Sequence, residues 1–453
     1  MAAHAASLAA GGGDGYAGHS WKRNLVFIWI GVFVGLLGAN FVFPFMPFYI
    51  QELGVTDKAK VSYYTGLTAS VTGLSLTLTA PFWGALSDRL GRKLMFVRAL
   101  VGAGVLIGIM GLVHAVWQLV ALRFMMGAFA GTMGAAAALV AATTPRERAG
   151  YALGLLQTGQ FTANMLGPVL GGITAATLGI RNSFIFCASL YGIAAVLAYS
   201  FVREPRESFA GGNNDEGEQH GKGGGSIIGN LRMVVSERQV IVMLLFLFVL
   251  WLSTTYVRPV MPISIDDFAA TSPAGAERVR LALPGASFQL KEEAATGLVF
   301  GIIGLTSTLA ALSVGPLGAR WGYRNAVTGA ALVAGVLYIP VFLAGSFTAF
   351  MFFFGAVGLF QGAMVPGTNA LIAASAPEGK QGSAFGLAAS MQSMALLIGP
   401  LAGGFTGGLL GIEAVYLIIG IILVAAAIGG RLLIREPAVF DGQRSATGPR
   451  GAG

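Results

Sequence analysis

The chain has 453 residues, of which 55% are hydrophobic and only 11% are charged, whereas soluble proteins average about 25% charged residues. This composition excludes a soluble globular, disordered, collagen-like or disulfide-stapled protein, because each of those needs polar, repetitive or cysteine-rich sequence. The 28 Lys and Arg exceed the 20 Asp and Glu, which gives a net charge of +8, and the single cysteine excludes an intrachain disulfide.

Apolar segments long enough to cross a bilayer, about 20 residues each, follow one another along the chain. We number them span 1 to span 12. They lie at 25–49, 63–86, 94–113, 117–142, 150–178, 182–202, 239–264, 294–317, 325–345, 347–374, 382–410 and 412–433. The pattern predicts an all-α integral membrane protein with twelve transmembrane helices.

The positive charges predict the topology. An even number of spans places both termini on one face, and the segments on that face carry twenty Lys and Arg against six on the other. By the positive-inside rule, the face with both termini is predicted to be cytoplasmic, as in a multi-pass protein of the inner or plasma membrane. The first twenty residues lack the pattern of a cleavable signal peptide, so span 1 is expected to act as an uncleaved anchor.

The sequence repeats internally. The segment from Gly84 to Lys93 realigns with that from Gly315 to Arg324, an offset of 231, and Arg203-Glu-Pro recurs as Arg435-Glu-Pro at an offset of 232. Two six-helix halves in parallel are a known transporter plan, with the substrate near the midplane between them.

The repeat and the changes in composition predict five regions. These are a disordered cytoplasmic N-terminus at 1–23, an N-terminal six-helix half at 24–203, a Gly-rich hydrophilic cytoplasmic linker at 204–237, a C-terminal half at 238–435 and a cytoplasmic tail at 436–453. A second irregular stretch, 265–293, is expected to form a loop on the opposite face.

The loop between spans 2 and 3 reads Gly84-Ala-Leu-Ser-Asp-Arg-Leu-Gly-Arg-Lys93. It resembles the loop signature of the major facilitator superfamily, Gly-x-Leu-Ala-Asp-Arg-x-Gly-Arg-Lys, with Ser87 as the one departure. The resemblance implies a gating role for its members, with Asp88 and the loop arginines stabilising one conformational state. They are Gly84, Asp88, Arg89, Gly91, Arg92 and Lys93. The other interpretation is a plain positive-inside loop.

Two further segments are similar to motifs of the twelve-span drug:proton antiporter branch, which includes bacterial multidrug-resistance exporters. In span 4, Arg123 precedes Gly127 as in the second motif of the family. In span 5 the residues that match the antiporter motif are Gly154, Ala163, Gly167, Pro168, Gly171 and Gly172. This motif implies export and close contact of spans 5 and 8, but span 11 mirrors it, so ordinary small-residue packing is the alternative.

The charged residues inside the spans are positive. No carboxylate falls deep within a span, whereas Arg123 lies in span 4 and Arg258 beside Pro259 in span 7. An arginine in an apolar helix is costly and seldom faces lipid, so both are candidates for the central cavity and for proton coupling. Two cavity cations favour anionic or amphipathic acidic substrates. The alternatives are that Arg123 snorkels to the interface and that Arg258 lies at the external surface.

Polar and aromatic residues on several spans are candidates for the cavity wall. Gln157, Gln160 and Asn164 recur at helical spacing in span 5. The other candidates are Asn40, Phe41, Phe45, Trp251, Tyr256, Gln361, Asn369 and Gln392. For each of them, structural packing is the alternative.

These patterns predict a secondary active transporter that exports small drug-like or amphipathic compounds, anionic ones among them, in exchange for protons. The alternative is a transporter of a specific metabolite, lipid, siderophore or sugar, including an importer. Enzymatic, metal and nucleotide motifs are absent from the sequence, so no cofactor other than the proton gradient, no metal and no nucleic acid are expected. Small molecules, protons and membrane lipids are the expected partners of a monomer.

Overall fold

The computed structural model of the protein describes residues 21–145, 148–204, 237–270, 278–376 and 381–437. Most of the predicted linker and of both predicted terminal segments lies outside these residues. The described chain forms twelve membrane-crossing helical rods, each of which overlaps its predicted span.

The N-terminal half contains spans 1 to 6. Span 1 comprises Trp21–Phe41, a 3-10 turn at Phe43–Phe45 and Met46–Glu52, and span 4 comprises Val116–Phe129 and Thr132–Thr143. Spans 2, 3, 5 and 6 are Lys58–Leu90, Arg92–Met110, Ala149–Leu178 and Ile180–Phe201.

The C-terminal half contains spans 7 to 12. Span 7 comprises Arg238–Tyr256 and Met261–Ala270. Spans 8 to 12 are Glu292–Trp321, Tyr323–Phe342, Phe347–Ser375, Gln381–Leu410 and Ile412–Leu433.

Eleven helical segments of the described chain are long and apolar enough to cross a membrane. The twelfth rod, Lys58–Leu90, has the length but is rich in serine and threonine. Several of these hydroxyls bond to span 4: Thr72 Oγ1 donates to the Arg123 carbonyl over 3.1 Å, and Thr79 Oγ1 donates to Ala128 O over 3.2 Å. Some of the hydroxyls that make span 2 polar thus serve its contact with span 4.

Each half has its own apolar core. One cluster of buried side chains runs from Leu25 to Val202 and the other from Val240 to Ile434, with Ile263 of span 7 joining the first. The two halves thus pack as separate bundles, which agrees with the fold predicted from the repeat.

Spans 2 and 11, and spans 5 and 8, form contacts between the halves. Ser62 Oγ donates to the Gly404 carbonyl over 3.0 Å. Gly297 approaches Pro168 so closely that a Cβ on the glycine would lie 2.6 Å from the proline carbonyl oxygen. All four residues lie towards the ends of these helices on the face of the molecule opposite to the two chain termini.

Towards the face with the termini, which we call the terminal face, the same helices separate. Thr77 and Ala80 continue the side of span 2 that carries Ser62, yet both are exposed. Gly154 and Gly386 have open space where a Cβ would project. A cleft between the halves is therefore open at the terminal face and closed at the opposite face.

The prediction of an irregular loop at 265–293 is wrong for the residues of this stretch that the structure describes. The helix of span 7 continues to Ala270, and Arg278–Leu283 (β1) pairs antiparallel with Ala286–Lys291 (β2). The two strands are joined at Pro284 and Gly285, and Gly285 has φ of 84°. This pair supplies the fixed φ of proline followed by the positive φ of glycine that a tight turn requires.

Candidate transport site

Arg123 is buried in the protein and does not snorkel. Its side chain is 3% exposed, and its Nε has no hydrogen-bond partner among the described residues. Span 4 is held close to span 2 at this depth, because a Cβ on Gly127 would lie 2.5 Å from Ser75 Oγ. Span 4 is therefore held against span 2 one turn beyond Arg123.

Arg258 lies in the break of span 7 between Tyr256 and Met261. Its guanidinium carbon is 5.1 Å from the ring centroid of Phe43, within the range of a cation–π interaction. Phe43 lies in the corresponding break of span 1, so the two interrupted helices meet here across the halves. Arg258 is half-buried at this contact between the halves.

Both arginines line one small cavity between the halves, which we call the arginine pocket. Its volume is about 10 Å³, room for about one water molecule. The remaining lining comes from spans 1, 2 and 7, namely Phe43, Met46, Thr65, Thr68, Ala69 and Pro259. No salt bridge joins Arg123 or Arg258 to a carboxylate in the part of the chain that the structure describes.

The polar face of span 5 borders the cleft. Gln157 and Asn164 are exposed and Gln160 is half-buried. Asn164 Oδ1 accepts a 2.9 Å hydrogen bond from Asn40 Nδ2 of span 1. Gln392 of span 11, the repeat partner of Gln160, is half-buried as well. Five of the predicted wall residues, Asn40 among them, therefore have polar groups near the cleft.

Four predicted wall residues are instead buried in the cores of the halves. Phe41 and Phe45 are fully buried and pack edge to face with ring centroids 5.9 Å apart. Tyr256 is 5% exposed and its hydroxyl bonds Thr406 over 2.7 Å. The sequence shows that these positions are aromatic, but not which side of a helix faces its own bundle.

Gln361 is the fourth buried residue. Its Nε2 donates to the hydroxyls of Ser253 and Tyr338 over 3.3 and 3.2 Å, inside the C-terminal half. Trp251 and Asn369 are half-buried, and Trp251 Nε1 and Asn369 Oδ1 have no hydrogen-bond partner among the described residues. These last two residues stay candidates for the wall.

The loop signature lies where span 2 ends and span 3 begins. Gly91 has φ of 99° between the two helices, and the Glu204 carboxylate accepts hydrogen bonds from Arg92 N and Lys93 N over 3.1 and 2.9 Å. The side chains of Asp88 and Arg89 and the surroundings of Gly84 lie outside what the structure describes.

The C-terminal half repeats this arrangement. Gly322 has φ of 86°, and the Glu436 carboxylate accepts from Tyr323 N and Arg324 N over 2.7 and 3.0 Å. Each acid thus caps the N-terminus of the third helix of its half, where backbone N–H groups lack partners and negative charge is favoured. The repeated Arg-Glu-Pro was visible in the sequence, but its capping role was missed.

The residues of the antiporter motif pack against two neighbouring helices, spans 1 and 8. Gly167 and Gly171 pack on span 1, and a Cβ on Gly167 would lie 2.9 Å from Leu37 O. Gly172 and Pro168 pack on span 8, Gly154 contacts neither, and Ala163 is fully buried. In span 11, the mirrored glycines make the corresponding contacts, Gly403 with span 7 and Gly404 with span 2. Because both halves use this packing, the motif alone does not indicate a direction of transport.

An ion pair joins the halves at the opposite face. Lys58, at the start of span 2, lies 3.1 Å from Asp266 and also binds Asp267, both in the last helix of span 7. The sequence placed all three residues at this face but could not pair them, since more than two hundred residues separate them in the chain.

Comparison with known families identifies the fold. The family described as Major Facilitator Superfamily matches residues 28–276 and 279–451. Among solved structures, a bacterial homolog of the human lysosomal transporter Spinster, in an inward-facing and unoccupied conformation, superposes with a TM-score of 0.71 at 12% identity, covering 94% of this chain and 98% of that one. A D-xylose-proton symporter gives a TM-score of 0.68 at 14% identity, covering 92% and 97%.

Curated relatives match over nearly the whole chain. The multidrug resistance protein MdtG of Enterobacter lignolyticus (strain SCF1) is 28% identical over 421 residues, which is 92% of this chain and 93% of the relative. MdtG of Proteus mirabilis (strain HI4320) is 29% identical over 401 residues, 88% of this chain and 92% of the relative.

Proposed function

The chain belongs to the major facilitator superfamily, a family of membrane-embedded small-molecule transporters, and from this premise we propose that it exports drug-like compounds in exchange for protons. The observation that carries the proposal is the cleft between two separately packed halves, open at one face and closed at the other. Such halves can rock about a fixed central site, which is how alternating access proceeds. Export rather than import is supported by the similarity to MdtG proteins over about nine-tenths of the chain.

The proposed orientation places the terminal face in the cytoplasm of a cell whose plasma or inner membrane holds the protein. Twenty basic residues on that face against six on the other support it. In this orientation the cleft is open to the cytoplasm, where an exporter loads its substrate. The proton gradient supplies the energy, membrane lipids surround the monomer, and Arg123 acts in substrate binding or proton coupling.

Proton movement in inverted membrane vesicles tests the proposal. A pH gradient is formed first, and cationic, neutral and anionic drug-like compounds are then added in turn. Collapse of the gradient by a transported compound, in vesicles with the protein but not in empty-vector vesicles, is the expected result. A gradient that persists with every compound, while the protein is folded and present, would contradict proton-coupled export.

A further inference from the structure

The β1–β2 hairpin at the opposite face of the molecule has two sides of different character. Residues directly opposite each other in an antiparallel pair project to the same side, so the register fixes which side chains lie together. One side, which we call the apolar face, consists of Val279, Leu281, Leu283, Ala286, Phe288 and Leu290. The other side, the basic face, consists of Arg278, Arg280, Ala282, Ser287, Gln289 and Lys291.

The apolar face is buried at its base and exposed at its tip. Val279 and Leu281 are 1% and 7% exposed and belong to the core of the C-terminal half. Nearer to the turn of the hairpin, Leu283 and Phe288 are 44% and 52% exposed. The apolar face therefore extends past the protein surface on which its base packs.

The tip of the hairpin lies above the lipid-facing side of span 10. Ala282 N, close to the turn, donates to Thr348 Oγ1 at the start of span 10 over 2.9 Å. Phe352, one turn further along the same face of this helix, is 69% exposed. At about 100° per residue it lies on the opposite side of the helix from Gln361, whose amide bonds Ser253 inside the C-terminal half. Phe352 therefore faces lipid, and the hairpin tip lies where this lipid surface ends.

The basic face carries three exposed cations, and neither strand contains an acidic residue. Arg278 lies directly opposite Lys291, with Arg280 two residues along the same strand. Like charges at directly opposite positions repel each other. None of the three forms a salt bridge within the part of the chain that the structure describes. An anion bound on this face would relieve the repulsion.

We propose that the hairpin is a membrane-surface anchor of the C-terminal half, and that it binds anionic phospholipids in the leaflet at the opposite face. Leu283 and Phe288 enter the boundary between headgroups and acyl chains, and the basic face contacts lipid phosphates. Apolar side chains on one side and Lys or Arg on the other are the arrangement by which amphipathic segments bind such surfaces. The inference does not depend on which compound the protein transports.

The anchor lies between two elements that close the opposite face. The last helix of span 7 precedes the hairpin and binds Lys58 of the other half through Asp266 and Asp267. Span 8 follows the hairpin directly, and its Gly297 packs on Pro168 of span 5. Anionic lipid on the hairpin thus acts on the elements that separate when this face opens.

Fluorescent labels on adjacent residues test the depth of the two faces. Ala286 and Ser287 are both small and exposed, and they lie on the apolar and the basic face. The variants Ala286→Cys and Ser287→Cys are made in a Cys187→Ser background, labelled with the fluorophore NBD and reconstituted into liposomes. Nitroxides on lipid chains near the headgroup should quench the label at position 286 at least about twofold more than that at 287, since the apolar face lies deeper in the interface. Aqueous iodide should show the reverse order.

The label at position 286 also reports which lipid binds. Quenching by nitroxide-labelled phosphatidylglycerol and by nitroxide-labelled phosphatidylcholine, each titrated separately, gives the relative affinity of the hairpin for the two lipids. Phosphatidylglycerol is expected to be preferred. Arg278→Gln and Arg280→Gln should each lower the preference by up to about fivefold, the contribution of one basic residue near an anionic surface. Lys60→Gln, an exposed basic residue at the same face of the N-terminal half, is the control and should leave the preference unchanged.

Several results would overturn the anchor. One is equal access of iodide to both labels without quenching by nitroxide lipids. Another is a label at position 286 that is shielded from iodide but not quenched by lipid, because a second protein chain then covers the apolar face. The assignment to anionic phospholipid fails if wild type shows no preference for phosphatidylglycerol or if the preference survives loss of both arginines. It also fails if inorganic phosphate at constant ionic strength abolishes the preference, since the basic face then binds free anions.

Discussion

At the scale of single residues, glycines decide how closely the helices approach. Gly171 of span 5 lies against the backbone of Phe41, and a Cβ at this position would overlap the carbonyl oxygen. A carbonyl in a helix cannot rotate away, so the two helices would have to separate. Gly192 of span 6 is also helical, but open space surrounds its Cβ position.

Gly171→Ala is therefore expected to destabilise the protein by about 1–3 kcal/mol, the usual cost of overpacking. The matched variant Gly192→Ala should be neutral or stabilising by up to about 1 kcal/mol, because alanine favours helix more than glycine does. Thermal unfolding of both variants in the same detergent checks the difference. Equal melting temperatures would show that spans 1 and 5 do not pack as described.

Arg123 and Arg258 show which features of a site can be predicted from the sequence and which cannot. Their rarity within apolar helices predicts that they are buried; Arg123 is buried and Arg258 is half-buried. That both arginines line one cavity depends on the breaks of spans 1 and 7 and on the rotation of each helix about its axis. Only the packed structure fixes these. For the same reason Thr65, Thr68 and Phe43 were missed: on their own they are ordinary residues of apolar helices.

At the scale of elements, the apolar segments predict all twelve rods, and the helix ends lie within six residues of the predicted ends. The breaks in the helices of spans 1 and 7 were not predicted. The β1–β2 hairpin was missed because a short strand pair in a polar loop carries little periodicity. Its Pro284-Gly285 turn is the signal that could have found it.

The carboxylates that cap spans 3 and 9 are expected to contribute to the stability of the protein. Glu204→Gln removes the charge that accepts from Arg92 N and Lys93 N at the start of span 3. Loss of a helix cap costs about 0.5–2 kcal/mol, so the melting temperature should fall by a few degrees.

Glu436→Gln should have a similar effect on span 9. The double variant should lose the sum of both, because the two caps lie in different halves and share no partner. An unchanged melting temperature in the double variant would contradict the capping role.

At the scale of the whole molecule, the two halves are joined near the opposite face by helix contacts and by the ion pair of Lys58 with Asp266 and Asp267. The side chains of Lys58 and Asp266 are 46% and 24% exposed. Such exposed pairs contribute about 0.2–1 kcal/mol. The ion pair thus adjusts the balance between conformations, while the glycine contacts of spans 2, 5, 8 and 11 form the main closure.

Lys58→Gln is expected to shift the population towards a state open at the opposite face, by up to about fivefold in the equilibrium constant. Distances between spin labels placed on the two halves at the terminal face would report the shift as a gain in shorter distances. Lys60→Gln, two residues along the same helix and exposed, is the control. An identical distance distribution in Lys58→Gln and wild type would show that the ion pair has no part in gating.

Transport by purified protein in liposomes tests the exchange of compound for protons. A gradient of an exported compound is imposed in the absence of a pH gradient, and a dye reports the internal pH. We expect protons to move opposite to the compound, to reverse direction when the compound gradient is reversed, and not to move in empty liposomes. Compound flux with no proton movement, or with protons moving in the same direction, would contradict it.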